Sequence, residues 1–296
     1  MSDQRRAYIY GGATVALWST VATAFKLSLR HLTPLQLLLY ASLTSIFALA
    51  AILAARGRLG LVLSYSRRQY LHSLVLGFLN PFLYYLILFK AYDLLPAQEA
   101  QPINYTWAIT LALLSIPLLK QKIGLYDLLG AVVSYGGVVI ISTHGDLLAF
   151  RFSDPWGVAL ALLSTVVWAL YWIFNTKDDR DPVAGLLLNF VFGLPFILAA
   201  CWMFSDPLVG DWRGLAGAAY VGLFEMGITF VLWLKALRLS ENTAKVGNLI
   251  FISPFASLVM IHFVLGEEIL PATYLGLVLI VGGLVLQRLK ARKEVQ

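Results

Sequence analysis

Ten stretches of about twenty mainly apolar residues follow one another along the chain, each long enough to cross a bilayer as a helix. They run over 7–29, 34–55, 69–91, 95–119, 125–142, 154–176, 183–204, 212–238, 243–265 and 272–289, here spans 1 to 10. Proline, glycine and charge punctuate them, at Thr33-Pro34, Arg56-Gly57-Arg58, Leu95-Pro96, Asp154-Pro155, Asp181-Pro182, Asp206-Pro207 and Leu270-Pro271. Span 4 departs from the pattern: it opens P-A-Q-E-A-Q-P, carries the most polar residues, and ends at Pro117. The pattern therefore predicts an all-α polytopic membrane protein.

The pattern also repeats. Gly77, Lys90 and Ala91 of span 3 match Gly222, Lys235 and Ala236 of span 8 at an offset of 145 residues. At an offset of 146, Gly136-Gly137 falls on Gly282-Gly283 and the basic Lys120-Gln121-Lys122 turn falls on the acidic Gly266-Glu267-Glu268 turn. Lys-rich turns stay cytoplasmic, so opposite charge at one repeat position fits halves that are inverted in the membrane. The expected domains are residues 1–146, a first five-helix repeat, and 147–296, a second, inverted one, around a central cavity. Sorting Lys and Arg over ten spans puts 17 on the side of the amino terminus and 5 on the other. Both termini are therefore expected in the cytoplasm.

Composition narrows the class further. The chain has 296 residues, 59% apolar and 13% charged, with a mean hydropathy of +0.78. Soluble domains carry about 25% charged residues. The basic balance lies in short loops beside apolar segments, which reads as topology rather than nucleic-acid binding. One cysteine, Cys201, excludes an internal disulfide. No Walker A, nucleophile-elbow or HExxH motif occurs, so neither a cofactor nor an enzymatic activity is expected.

Polar side chains inside a bilayer mark candidate function. Asn80 and Glu225 share one repeat position near the middle of spans 3 and 8, and Glu225 is the one carboxylate deep inside a predicted span. Its role stays open between structure, proton coupling and substrate contact. Pro102 is expected to break span 4, and Gly247-Asn248 to break span 9; such paired breaks point to a binding site. Trp18, Tyr84, Trp168, Tyr171 and Trp172 are deep aromatics that either face a cavity or face lipid. Tyr8, Trp156 and Trp212 fall at span ends, as interfacial residues do.

Trp168, Lys235-Ala236, Pro254, Gly266-Glu267-Glu268 and the glycines from Gly276 to Gly283 resemble the motifs of the drug/metabolite transporter superfamily, EamA-type. The first half keeps Lys90-Ala91 and Gly136-Gly137 but has Ile109 and a basic turn where the pattern has proline and acid. Span 4, P-A-Q-E-A-Q-P-I-N-Y-T-W, is similar to the aromatic amino-acid exporter branch. The resemblance implies a proton-linked exporter in a bacterial inner membrane; two complete halves in one chain would let a monomer in the lipid bilayer suffice. Asn80, Gln101, Asn104 and Asn248 would then bind the amino and carboxyl groups of an aromatic amino acid. Trp18, Tyr84, Tyr105 and Trp168 would hold its ring, and Glu225 would carry the proton. A cationic drug, a purine-like metabolite and a lipid-modifying enzyme are the alternatives.

Overall fold

The computed structural model describes residues 3–120, 125–147, 152–175, 178–240 and 248–293. Gln121, Lys122 and Gly247, and the side chains of Asp127, Asn248 and residues 287–293, lie outside the described residues. The binding role expected of Asn248 therefore falls outside them.

The described residues form helices and connecting turns without a strand. The α-helices are α1 Asp3–Ser19, α2 Val21–Leu29, α3 Pro34–Ala55, α4 Arg67–Gly77, α5 Tyr84–Leu94, α6 Ala97–Tyr105 and α7 Trp107–Leu119. They continue as α8 Leu125–Ser142, α9 Pro155–Asn175, α10 Pro182–Phe204, α11 Trp212–Val221, α12 Ile228–Leu239, α13 Ser253–Met260 and α14 Pro271–Lys293. Two π segments, Phe78–Leu83 and Gly222–Gly227, join α4 to α5 and α11 to α12. Among the described residues, six helical stretches are long and apolar enough to cross a membrane. Shorter apolar helices cover Leu128–Ser142, Leu249–Leu265 and Pro271–Leu286.

The punctuation acts as helix caps. Thr33 accepts from the Gln36 amide and Gln36 reaches back to Thr33, with Pro34 at the first helical position. Ser66 and Gln69 repeat that box, and Asp181 accepts from Val183 and Ala184 ahead of α10. Each cap satisfies amides that the helix start leaves unpaired.

Two expectations need correcting. Span 1 is two helices, α1 and α2, parted at Thr20, whose hydroxyl binds the Leu17 carbonyl at 2.6 Å and the Tyr220 hydroxyl at 2.7 Å. Span 4 breaks at Thr106, not at Pro102, which lies inside α6. Thr106 donates its backbone N–H and its hydroxyl to the Ile103 carbonyl. A hydroxyl bonded back to its own helix competes with the helical ladder and bends it.

Contacts divide the chain into two compact units, residues 1–89 with 178–260 and residues 90–177 with 261–296. In the first, α3 packs on α10, α11 and the second π segment, α10 packs on α4 and the first π segment, and α1 lies along α12 and α13. A Cβ on Gly77 would meet the Asn189 carbonyl, and one on Gly222 would meet the Ala41 carbonyl. Gly77 and Gly222 stand 145 apart, and Ala41 and Asn189 stand 148 apart, as do the caps Thr33 and Asp181. One close helix crossing is thus made twice, once with each half's glycine.

In the second unit, α14 runs along α8, and α9 packs on α6 and α7. Gly137 lies against the Gly276 backbone, Ser134 donates to the Ile280 carbonyl at 3.0 Å, and Gly283 lies against Gly130 and Ser134. Partner numbers fall as residue numbers rise, so the helices are antiparallel. Replacing each residue by its counterpart 146 positions away turns the Gly137–Gly276 contact into the Gly283–Gly130 contact and Ser134 into Ile280. This seam is its own image.

Candidate substrate and proton sites

In the first unit the chemistry gathers at the π segments. Asn80 sits at φ −146°, ψ 116°, outside helical geometry, followed by Pro81, which has no N–H to donate. Asn80 is 1% exposed, and its Oδ1 has no hydrogen-bond partner. Glu225 lies at the same point of the other π segment and is half-buried. The Tyr85 hydroxyl donates to Glu225 Oε1 at 3.2 Å, and the Tyr85 ring meets Tyr84 edge-on at 4.8 Å. Glu225, Tyr85 and Tyr84 are therefore contiguous. Half-buried Trp18 packs against Phe230 at 5.9 Å and Trp233 at 5.7 Å.

The second unit holds the remaining described candidates. Asn104 Nδ2 donates to Ser164 Oγ at 2.9 Å across α6 and α9. Trp168 stands one helical turn beyond Ser164, hence on the same face of α9. It stacks on Tyr171 at 5.6 Å and meets Trp172 and Trp107 edge-on at 5.8 and 6.5 Å. Trp168 is 8% exposed and Tyr84 4%, so neither faces lipid, whereas Trp156 and Trp212 at the span ends are open. Tyr105 is half-buried. Gln101 Oε1 and Trp172 Nε1 are buried without hydrogen-bond partners. A buried polar atom left unpaired costs about 1–3 kcal/mol, and a ligand that pairs it recovers that cost.

Structure also shows what the sequence reading missed. Glu99, at 1% exposure, is more deeply buried than Glu225. It binds Ser153 Oγ and His144 Nε2, each at 2.8 Å. Glu267, which the sequence offers as a topology signal, accepts from the Ala97 and Gln98 amides and so caps α6. Gln98 completes that end: its Nε2 donates to the Glu268 carbonyl, and its Oε1 accepts from Leu270 N and Thr273 Oγ1. Signals for both were present, an acid in the first turn of a helix and a second acid in a turn, but neither residue names its partner. Among the described residues, no three His, Cys, Asp or Glu side chains group as metal ligands.

The EamA-like transporter family model matches the chain twice, over residues 5–143 and 155–288. The chain belongs to the EamA-like transporter family. Its EamA relatives include an uncharacterized transporter of Archaeoglobus fulgidus, 25% identical, with 94% of this chain and 95% of that one aligned. The aromatic amino acid exporter YddG of Ancylobacter novellus is also 25% identical, with 97% of this chain and 98% of that one aligned. A protein known from its crystal structure shares the fold at a TM-score of 0.69 and 21% identity, covering 99% of this chain and all of its own. An EamA chain with these apolar helices is a polytopic membrane transporter.

Proposed function

We propose that this EamA chain exports aromatic amino acids by alternating access, driven by the proton-motive force. The observation that carries the substrate reading lies within the second unit. An unpaired acceptor, Gln101 Oε1, and an unpaired donor, Trp172 Nε1, accompany the ring cluster around Trp168. An aromatic amino acid brings the three matching groups: an ammonium to donate, a carboxylate to accept, and a ring to stack. The aromatic exporter among the relatives supports the same class.

Ten crossings as two inverted five-helix halves, 1–146 and 147–296, are supported by the double family match and by the self-imaging α8–α14 seam. An antiparallel pair exchanged by a two-fold axis has that axis perpendicular to both helices; for membrane-crossing helices this is the axis of an inverted repeat. Asn80 and Glu225 hold one repeat position, and each lies within a π segment, the kind of interruption such sites use. Both halves lie in one chain, so a monomer suffices. Charge sorting supports cytoplasmic termini, and the resemblance to the exporter branch supports a bacterial inner membrane.

Glu225 is the proton carrier in this reading, because it is a carboxyl within a π segment and has Tyr85 to hold it. Uptake of labelled amino acids into reconstituted vesicles, with and without a pH gradient, is the test. Aromatic amino acids should compete with one another and aliphatic ones should not. Trp168→Ala should weaken apparent affinity for the aromatic solute about tenfold, the size of one lost stacking surface. Glu225→Gln should retain exchange at equal pH while losing the gradient-driven part. Full gradient-driven uptake by Glu225→Gln would remove its role. Competition by organic cations alone would instead favour a cation exporter, which a carboxylate at this depth also fits.

A further inference from the structure

We propose that Glu99, His144 and Ser153 form an acid-strengthened latch tying the turn after α8 to the first turn of α6. Ser153 Oγ donates to the Glu99 carboxyl, 2.8 Å from both oxygens, and lies 2.8 Å from His144 Nε2. His144 Nε2 stands 2.8 Å from Glu99 Oε1. One buried carboxylate thus gathers two groups from beyond α8 onto α6. Its place in the first turn of α6 suits an anion, since a helix N-terminus carries partial positive charge.

His144 is held in an uncommon backbone state. Its φ is 53°, followed by Gly145 at 83°, and a side chain in the left-handed region is strained unless contacts maintain it. Backbone bonds from His144 N to the Ile141 carbonyl and from Gly145 N to the Ile140 carbonyl close this turn, and the His144 ring reaches Glu99 from it. Histidine is the side chain type whose charge ordinarily changes between about pH 5 and 8. With a neutral ring only the carboxylate of this contact is charged; with an imidazolium both partners are, and the hydrogen bond becomes a buried ion pair.

Several other ionisable groups described at this end of the unit have partners of their own. Glu267 caps α6, Asp154 accepts from Gly157 N at 2.8 Å, and Lys90 pairs with Asp93 at 2.6 Å. Asp146 lies on the His144 turn itself and has a partner, and Glu268 is exposed. His262 meets the Glu267 carbonyl at 3.0 Å. Among the described residues at this end, His144 is the imidazole that touches a buried carboxylate. The latch does not depend on which solute the protein carries.

Hydrogen exchange on the full chain in nanodiscs tests the latch, with rates expressed as protection relative to an unstructured chain at the same pH. Between pH 7.5 and 5.5 (values on the order of the usual histidine range), protection of residues 143–147 and 97–101 should rise up to about tenfold. Residues 182–204 should not respond. His144→Asn should abolish the response while keeping the fold, because asparagine tolerates the left-handed region. Glu99→Gln should also abolish it, and His262→Asn should leave it intact. A response that survives in His144→Asn, or is lost in His262→Asn, overturns the proposal. So does a wild-type protein without one.

Discussion

Gly283→Leu should destabilise the protein by about 3 kcal/mol or more, whereas Gly282→Leu, one residue earlier, should stay within about 0.5 kcal/mol of wild type. The two glycines look alike in the sequence, and their surroundings are opposite. A Cβ on Gly283 would run into Ser134 Oγ and the Gly130 carbonyl, while one on Gly282 meets nothing within 4 Å. The obstruction at Gly283 includes backbone, which cannot rotate aside, so α8 and α14 would have to separate. Separation also breaks the Ser134 hydrogen bond to Ile280. The repeat extends the prediction to the first half: Gly137→Leu should be severe and Gly136→Leu mild, since only Gly137 faces backbone across the seam. Thermal melting followed by size-exclusion of the detergent-solubilised protein measures all four. Equal melting of Gly282→Leu and Gly283→Leu would sink the seam.

Arg180→Ala should cost about 3–5 kcal/mol, the range for removing one partner of a buried ion pair. The Arg180 side chain is 1% exposed and uses every face of its guanidinium. Nε and Nη2 hold the two oxygens of Asp178 at 2.8 and 2.7 Å. Nη1 donates to Ser73 Oγ at 2.8 Å and to the Gln69 carbonyl at 3.2 Å, and the group lies 5.4 Å from the centre of the Tyr65 ring. Arg180→Lys should rescue little, because a single ammonium cannot reproduce the fork.

The same pair sets a pH dependence. Burial alone would push the Asp178 carboxyl upward, but the hydrogen bonds and charge of Arg180 outweigh it and hold the group below its ordinary value. A folded value below the unfolded one means the contribution is complete above the ordinary carboxylate range, near pH 4. It disappears as pH falls through the lower folded value. Wild type and Asp178→Asn should therefore differ in melting temperature at neutral pH and converge in strong acid.

Much of this was legible in the chain. Bilayer-crossing helices need long apolar runs and capped ends, and both are local properties, so Thr33-Pro34 and Asp181-Pro182 announce α3 and α10 directly. The register that pairs Asn80 with Glu225 was legible for a related reason: duplicated segments keep their spacing, and both residues fall on π segments. Breaks were less legible. Pro102 is the stronger breaker by composition, yet the helix yields at Thr106, where a hydroxyl can take over the Ile103 carbonyl.

Partners were not legible. Periodicity states which residues are apolar, and charge states which turns differ, but neither states which side chains meet across helices far apart in sequence. Glu267 reads as a charge in a turn until it is found 170 residues from the Ala97 amide it caps. Glu99 reads as one polar residue among several until His144 and Ser153 are seen on it. By itself the sequence determined that this chain is helical, membrane-crossing and duplicated, because those follow from composition and spacing along the chain. Tertiary structure alone decided which glycine of each pair bears the seam and which carboxylate is buried, because both depend on what another helix places within a few ångströms.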